Sequence, residues 1–255
     1  EQAGVDALSI NVGWHEARVP QITTAVPRGA FAYLARAIKQ QVAIPVVYGH
    51  RVNDPGTARE LILNEMCDMV AMGRSLIADP YLPEKARRRR EQDIVHCVAC
   101  AQGCFDNLFK LKSVECLCNP RAGHEGACPT GDKAAAPKTV MVIGGGPAGM
   151  RAALTAAERG HKVCLYEAAE RLGGQLFLAA APPGRREFAV LAEDLARQVM
   201  SSAIELHLNT AADLALVRAT APDHVILATG AEPLTLPIPG IDAPHVVQAW
   251  DVLRD

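Results

Sequence analysis

Three cysteines stand close together near the middle of the chain, and a fourth follows after a short interval. They are Cys97, Cys100, Cys104 and Cys116. Three thiolates in one short irregular stretch can bind three corners of an iron–sulfur cubane, and a fourth from a later turn completes the Cys₄ ligation that such a cluster requires. The spacing therefore predicts that these four cysteines bind a [4Fe-4S] cluster.

Structural zinc is the main alternative for these cysteines. Zinc sites usually pair two Cys-x-x-Cys knuckles, whereas one knuckle is followed here by two single cysteines at unequal spacing, which favours the cluster. A disulfide framework fits less well, because the chain is long and further cysteines stand in unrelated contexts. These are Cys67, Cys118, Cys128 and Cys164. This usage suits a reducing compartment, and we expect a cytoplasmic protein.

The overall composition narrows the choice of partners. The chain has 255 residues, of which 49% are hydrophobic, and a formal net charge of −2. It has no basic excess of the kind that nucleic-acid binding uses, and its sequence has no apolar run long enough to span a bilayer. We expect a small-molecule substrate, and neither a nucleic acid nor a membrane as partner.

Residues 1–93 alternate between short apolar runs and helical patterns. The runs cover residues 7–12, 44–48 and 68–72, and they end at Gly13, Gly49 and Gly73. Such runs are typical of buried parallel strands. After the second run, Asp54 is placed to cap a helix that has Pro55 at its first position. The pattern predicts three successive β/α units.

Arginine follows two of these glycines, at successive strand ends. Arg51 comes just after Gly49, and Arg74 directly follows Gly73. Loops after the last strands of a (β/α)₈ barrel commonly hold a phosphate, which two guanidinium groups and close glycine backbone can bind. The residues therefore favour the C-terminal part of a (β/α)₈ barrel over a doubly wound sheet. Because three strands cannot close a barrel, we expect the chain to be an internal piece of a longer polypeptide.

A second domain is predicted after a linker at residues 127–137. An apolar strand at 139–143 leads into G-x-G-x-x-G, and a second strand ends on Glu167. The glycines of the motif are Gly144, Gly146 and Gly149. This order makes a dinucleotide-binding fingerprint, in which the glycines let the backbone reach a pyrophosphate at a helix N-terminus and the acid accepts from ribose hydroxyls.

Two later motifs bear on which dinucleotide is bound. Glu170-Arg171-Leu172-Gly173-Gly174-Gln175 follows the acid, and a strand at 225–227 leads to Ala228-Thr229-Gly230. Both resemble the FAD-binding domain of flavoproteins of the glutathione-reductase type. That resemblance implies FAD, with Gly174, Gln175 and Gly230 among the residues that bind it.

The chain combines a partial barrel, four cysteines and an FAD domain in this order. In this combination it resembles the bacterial NADPH-dependent 2,4-dienoyl-CoA reductases, which are multidomain relatives of old yellow enzyme. The resemblance covers nearly the whole chain and is close at residues 13–18, 26–31, 116–121 and 251–255. It implies FMN in the barrel with its phosphate at Arg51 and Arg74, the cluster at the four cysteines, and FAD at the glycine motif and Glu167. Cys118 falls outside the implied ligand set and is expected to be a buried thiol.

The resemblance also divides the chain and suggests its chemistry. The predicted parts are the end of the FMN barrel at 1–93, the cluster segment at 94–126, the linker, and an incomplete FAD-binding domain at 138–255. His15 is the predicted catalytic residue, because it follows the first strand at the end of the barrel where active sites assemble and imidazole suits proton transfer. The alternative is that His15 only hydrogen-bonds a loop carbonyl.

The activity that the resemblance implies is reduction of 2,4-dienoyl-CoA to enoyl-CoA in fatty-acid β-oxidation. Electrons would pass from NADPH, bound by a domain beyond Asp255, to FAD, the cluster, FMN and the substrate. Enoate or enone reductases, amine dehydrogenases or demethylases, and an inactive cofactor-binding fragment remain alternatives. Amine sites need aromatic residues around the cation, and Trp14 is the sole aromatic in the loop that carries His15, which favours dienoyl-CoA.

Overall fold

A computed structural model of the protein describes residues 3–13, 17–18 and 21–254. The chain divides into two units, Glu1–Pro129 and Thr130–Asp255. Both are built on parallel sheets with helices in the connections, so the predicted mixed α/β fold is confirmed. Among the helices of the described residues, none combines the length and the hydropathy that crossing a bilayer requires.

The first unit contains a three-stranded parallel sheet in the order β1-β2-β3. Its elements are β1 (Leu8–Ile10), α1 (Ala32–Lys39), β2 (Val46–Tyr48), α2 (Pro55–Leu63), β3 (Met69–Val70), α3 (Gly73–Ala78), α4 (Leu82–Arg87), a 3₁₀ helix (Glu91–Asp93) and α5 (Phe105–Phe109). Each strand is shorter than the apolar run that predicts it. Because neighbouring strands pair in parallel, their carboxyl ends meet at one edge of the sheet.

The core of the first unit lies between the sheet and the helices α1 and α2. Val46 and Tyr48 of β2 are fully buried there against Ala35 of α1 and Leu61 of α2. The hydroxyl of Tyr48 accepts a hydrogen bond from the Phe31 N–H at 3.2 Å, so its polar atom is satisfied within the core. Burial raises the pKa of Tyr48 to about 12.

The second unit contains a four-stranded parallel sheet in the order β6-β5-β4-β7. Its elements are β4 (Thr139–Ile143), α6 (Pro147–Glu158), β5 (Lys162–Tyr166), α7 (Leu176–Ala180), α8 (Glu187–Met200), β6 (Glu205–His207), α9 (Leu214–Thr220), β7 (His224–Leu227) and α10 (Ala249–Val252). The sheet grows on one side of β4 and then switches to the other. In open α/β sheets such a switch opens a ligand crevice at the carboxyl ends of the strands.

Asp54 fixes the start of α2, as the sequence predicts. Its Oδ1 accepts from the Thr57 N–H at 2.8 Å, and its Oδ2 accepts from the Thr57 hydroxyl at 2.6 Å and pairs with Arg28 at 2.8 Å. Burial on its own raises the pKa of Asp54, but the two hydrogen bonds from Thr57 and the charges of Arg28 and His96 outweigh it. The net pKa is therefore below its usual range.

We expect Asp54→Ala to lower the free energy of unfolding by about 1–2 kcal/mol at pH 7. A lowered folded-state pKa means that the carboxylate stabilises the fold above its unfolded pKa of about 4 and loses this effect as the pH falls through the folded value. Urea unfolding from pH 7 downwards should therefore show the difference between wild type and variant shrinking in acid. Asp213→Ala, at an exposed cap with one hydrogen bond to the Leu216 N–H, is the control and should cost less. A deficit that is constant with pH would contradict the carboxylate's role.

Candidate functional site

The two glycine–arginine pairs of the first unit meet at one cavity. Its lining residues are Gly49, Arg51, Val52, Asn53, Gly73, Arg74, Ser75 and Cys97. Gly49 follows β2 and Gly73 follows β3, so the parallel pairing of these strands explains the convergence. A Cβ on Gly73 would meet no heavy atom within 4 Å, so the backbone there faces open space. The two guanidinium groups give this cavity a positive charge that suits a phosphate.

Both arginines are held by main-chain oxygens. Arg51 is 4% exposed, and its Nε donates to the Val26 carbonyl at 2.8 Å. Arg74 donates from Nη1 to the Ile22 carbonyl at 2.6 Å, and its guanidinium lies 5.7 Å from the centre of the Phe105 ring. These contacts fix two positive charges at the cavity before any anion binds. Phe105 is a contact that the sequence analysis missed.

The four predicted cluster ligands line a second cavity of the first unit. Its wall consists of Arg74, Ile77, Cys97, Val98, Cys100, Ala101, Gly103, Cys104, Glu115, Cys116, Leu117 and Cys118. All eight cysteines of the chain lie in the described residues, and none forms a disulfide. The structure thus brings together the cysteines that the spacing analysis selected and adds Cys118 to them.

Four of the cysteines that line this cavity are the predicted ligands of a cluster. Within the described part of the chain, no three His, Cys, Asp or Glu side chains converge as a site for one metal ion would require. A cubane differs, because each of its four thiolates binds a different iron. The space between these side chains is about 10 Å³. The [4Fe-4S] cluster remains a prediction.

Local backbone geometry brings the distant cysteine to the other three. The Glu115 N–H donates to the Gly103 carbonyl at 2.9 Å, and a Cβ on Gly103 would lie 2.6 Å from the Glu115 oxygen. Only glycine therefore permits the approach that sets Cys104 beside Cys116. Ala99 and Ala101, on either side of Cys100, have left-handed φ angles of 51° and 60°, a conformation that non-glycine residues rarely adopt.

Burial and hydrogen bonding act in opposite directions on these thiols. Burial raises the pKa of Cys97 to about 11, and it also raises the pKa of Cys100. Cys116 differs, because a hydrogen bond from the Cys118 thiol lowers its pKa to about 6. Since iron binds thiolates, filling this site would release protons from Cys97 and Cys100.

The two cavities of the first unit share part of their wall. Arg74 and Cys97 line both of them. Asn53, which lines the cavity of the two arginines, donates from Nδ2 to the Cys97 carbonyl at 2.8 Å and so joins the two segments. A group bound by the arginines and a group bound by the cysteines would therefore be neighbours.

The glycine motif of the second unit shows a different requirement at each glycine. A Cβ on Gly144 would lie under 3.0 Å from the Ala228 carbonyl oxygen, and one on Gly149 would lie under 3.0 Å from the Gly144 oxygen. Gly144 also has a φ of 108°. A Cβ on Gly146, by contrast, would meet nothing within 4 Å. The first and third glycines thus allow close packing, and the second leaves open space at the start of α6 for a ligand.

The other residues predicted for the dinucleotide gather at the same crevice. A Cβ on Gly174 would lie 3.1 Å from the Gly146 Cα, and one on Gly230 would lie 3.0 Å from the Gln175 Nε2. Gln175 donates to the Ala231 carbonyl at 3.0 Å. This edge therefore combines the glycine motif with both of the motifs that the sequence analysis used to choose FAD.

Glu167 has a structural contact that the sequence analysis did not predict. Its Oε2 accepts from the Gly145 N–H, and its Oε1 accepts from the Ala169 N–H at 2.8 Å. The carboxylate therefore holds the glycine loop against the end of β5. Contact with a ribose would have to use its remaining lone pairs.

Of the two histidines considered near the strand ends of the first unit, the structure describes one. His15, the predicted catalytic residue, lies outside the described residues, as does Trp14. His50 is described: its Nε2 accepts from the Val12 N–H at 2.8 Å, and its pKa is lowered by burial and by the charge of Arg74. The same Nε2 lies 2.8 Å from the Asn11 Oδ1, so His50 is a support for the loop after β1.

Two family models match different parts of the chain. The model for the NADH:flavin oxidoreductase / NADH oxidase family matches residues 3–93. The model for pyridine nucleotide-disulphide oxidoreductases matches residues 138–255. The cysteine segment lies between the two matches.

Relatives cover the chain from end to end. The metal reductase of Desulforamulus reducens is 44% identical over 260 residues, which include 99% of this chain and 38% of the relative. The NADH oxidase of Thermoanaerobacter brockii is 40% identical over 257 residues, or 99% of this chain and 40% of the relative. The chain thus spans about two fifths of the length of these curated relatives.

Solved structures share the fold of the whole chain. A complex of 2-naphthoyl-CoA reductase with 2-naphthoyl-CoA superimposes with a TM-score of 0.93 at 37% sequence identity, over 98% of this chain and 38% of that one. The fold of each unit is therefore common to this chain and that reductase.

Proposed function

We propose that the chain is part of a flavin-dependent oxidoreductase in which these two family segments are joined, and that this enzyme is an NAD(P)H-dependent reductase of conjugated acyl-CoA thioesters. The specific reaction that we propose is the NADPH-dependent reduction of 2,4-dienoyl-CoA to enoyl-CoA. The likeness to 2-naphthoyl-CoA reductase supports an acyl-CoA substrate.

The observation that carries the proposal is the wall shared by the two cavities of the first unit. Arg74 and Cys97 belong to both, so an FMN phosphate and a cluster would be held by adjoining residues. A purely structural zinc site has no need to adjoin a phosphate cavity, whereas redox groups that exchange electrons do need to be near each other. This arrangement therefore supports an electron-transfer role for the cysteine segment.

Each cofactor of the proposal has residues that fit it. Arg51 and Arg74 would neutralise the FMN phosphate, and the open space at Gly146 would admit the pyrophosphate of FAD. The cluster would be held by Cys97, Cys100, Cys104 and Cys116. When bound, the flavins would supply hydride chemistry and the cluster one-electron transfer. His15 is proposed to move the proton to the substrate.

An anaerobic assay of the parent protein tests this function. NADPH oxidation is followed with a 2,4-dienoyl-CoA, with the corresponding saturated acyl-CoA as control, and with a tertiary methylamine in a separate reaction. We expect oxidation with the dienoyl-CoA alone. Bleaching of the flavin by the amine without NADPH would instead indicate a dehydrogenase or demethylase and would overturn the substrate proposal. Zinc in place of iron in the purified protein would overturn the cluster proposal.

A further inference from the structure

The glycine loop of the second unit is held at Gly145, the residue between the first two glycines of the motif. Gly145 is buried. Its N–H donates to the Oε2 of Glu167, and its carbonyl accepts from the Gly173 N–H at 2.9 Å. Both polar main-chain groups of Gly145 are therefore bound by the segment that follows β5.

The missing side chain of Gly145 leaves room for this carboxylate. A Cβ on Gly145 would lie 2.9 Å from the Glu167 Oε2, 3.0 Å from the Glu167 Cβ and 2.5 Å from the Leu172 Cδ2. Leu172 is itself buried, so its side chain has little freedom to move aside. The φ angle of Gly145 lies outside the left-handed region. Glycine is thus required here by space rather than by backbone conformation, and what fills that space is Glu167 and Leu172.

The rest of Glu167 is also fixed by hydrogen bonds. Its Oε1 accepts from the Ala169 N–H at 2.8 Å. Its main-chain N–H donates to the His207 carbonyl at 2.9 Å, and its main-chain carbonyl accepts from the Thr210 N–H at 2.9 Å. Each carboxylate oxygen thus already accepts a main-chain N–H, and the backbone that carries the side chain is held on both sides of the residue.

We propose that Glu167 serves dinucleotide binding as a positioning residue, which holds the glycine loop through the Gly145 N–H, and that it does not bind the ribose hydroxyls. This inference rests on the proposed function, since it needs FAD at the glycine motif. It differs from the role that the fingerprint gives to the acid, which is contact with the ribose. Without the carboxylate, the buried Gly145 N–H loses its acceptor, and the loop would shift at Gly146, where the pyrophosphate is proposed to lie.

A ligand without ribose hydroxyls separates the two roles. FAD and an FAD analogue that carries 2′,3′-dideoxyadenosine are each titrated by calorimetry into the flavin-free parent protein, after its barrel has been saturated with FMN. Glu167→Gln keeps one acceptor oxygen for two N–H groups. Gly145→Ala displaces the carboxylate from the other side of the contact. Glu193→Gln, at an exposed residue of α8, removes the same charge and is the control.

We expect Glu167→Gln to weaken the binding of both ligands by the same factor, about five- to tenfold, and Glu193→Gln to leave both affinities unchanged. Gly145→Ala should also weaken both. The double variant should bind little worse than the weaker single variant, because both changes break one contact. In native-state hydrogen exchange, Glu167→Gln should speed exchange of the Gly145 amide while the amides of β4 keep their protection, whereas general destabilisation would affect both.

The other outcomes decide against the proposal. If Glu167→Gln weakened the binding of FAD and left the analogue unaffected, the carboxylate would be a ribose acceptor and the positioning role would be overturned. Unchanged affinity of Glu167→Gln for both ligands would overturn it too, as would strict additivity of the two substitutions. A wild-type protein that binds neither ligand would refute the proposed function instead.

Discussion

Gly149→Ala should destabilise the second unit severely and abolish its binding of FAD. The new Cβ would lie under 3.0 Å from the carbonyl oxygen of Gly144, a main-chain atom that cannot rotate away as a side chain could. Either α6 or the glycine loop would have to shift. Overpacking of well-packed sites costs about 1–3 kcal/mol, and we expect a loss at or above the upper end of this range.

Gly146→Ala is the matched control for this substitution. It lies in the same loop, its φ of −71° suits alanine, and its Cβ would meet no protein atom within 4 Å. We therefore expect the fold to keep its stability, whereas the methyl group would enter the space proposed for the pyrophosphate and weaken FAD binding. Urea unfolding measures the first effect, and flavin content with fluorescence titration of the apoprotein measures the second. Equal stability of the two variants would contradict the packing argument, and full FAD binding by Gly146→Ala would contradict the pyrophosphate position.

The second large effect concerns the cysteine cavity. Cys100→Ser or Cys104→Ser should each remove nearly all iron from the protein, because a cubane needs all four thiolates. Changes to partners that merely support metal ligands typically weaken metal binding by about 10–100-fold, and loss of a ligand should exceed this. The measurement is iron and acid-labile sulfide per chain after anaerobic reconstitution, together with the visible absorption of the cluster.

Cys128→Ser provides the control for these cysteine variants. Cys128 belongs to the same unit but is exposed and does not line the cavity. We expect this variant to bind as much iron as wild type. If Cys128→Ser lost iron while Cys104→Ser retained it, the ligand assignment would be wrong. Retention of zinc by the wild-type protein under the same conditions would favour the structural alternative.

The sequence predicts structure best where the pattern consists of residues that are close together along the chain. The strand, the glycine motif and the acid after the next strand follow one another along the sequence, and the first and third glycines each have a packing requirement. The convergence of Arg51 and Arg74 could also be predicted, because it requires only that two parallel strands end at the same edge. The cysteine spacing likewise selected four residues that line one cavity.

Contacts between distant segments could not be predicted in this way. The Phe105 ring beside Arg74 depends on how α5 packs against the strand ends, and nothing in either residue's neighbourhood indicates it. Glu167 was recognised as the acid that ends β5, but its hydrogen bond to the Gly145 N–H depends on the folded loop. The place of Cys118 in the cavity follows from the turn after Cys116, whose geometry the spacing alone leaves open. The strands of the first unit are shorter than their apolar runs, because only part of each run has a paired neighbour.

A chimera between relatives should keep Arg74 and Cys97 from the same parent, because both residues line the two cavities of the first unit. The match to the NADH:flavin oxidoreductase family ends at residue 93, so a designer who follows that boundary would place the crossover there. A crossover there would take Arg74 from one parent and Cys97 from the other. The hydrogen bond between Asn53 and Cys97 would then also have to form between residues of different parents. Recombination should therefore transfer Glu1–Pro129 as one inherited block, with the crossover placed after Pro129.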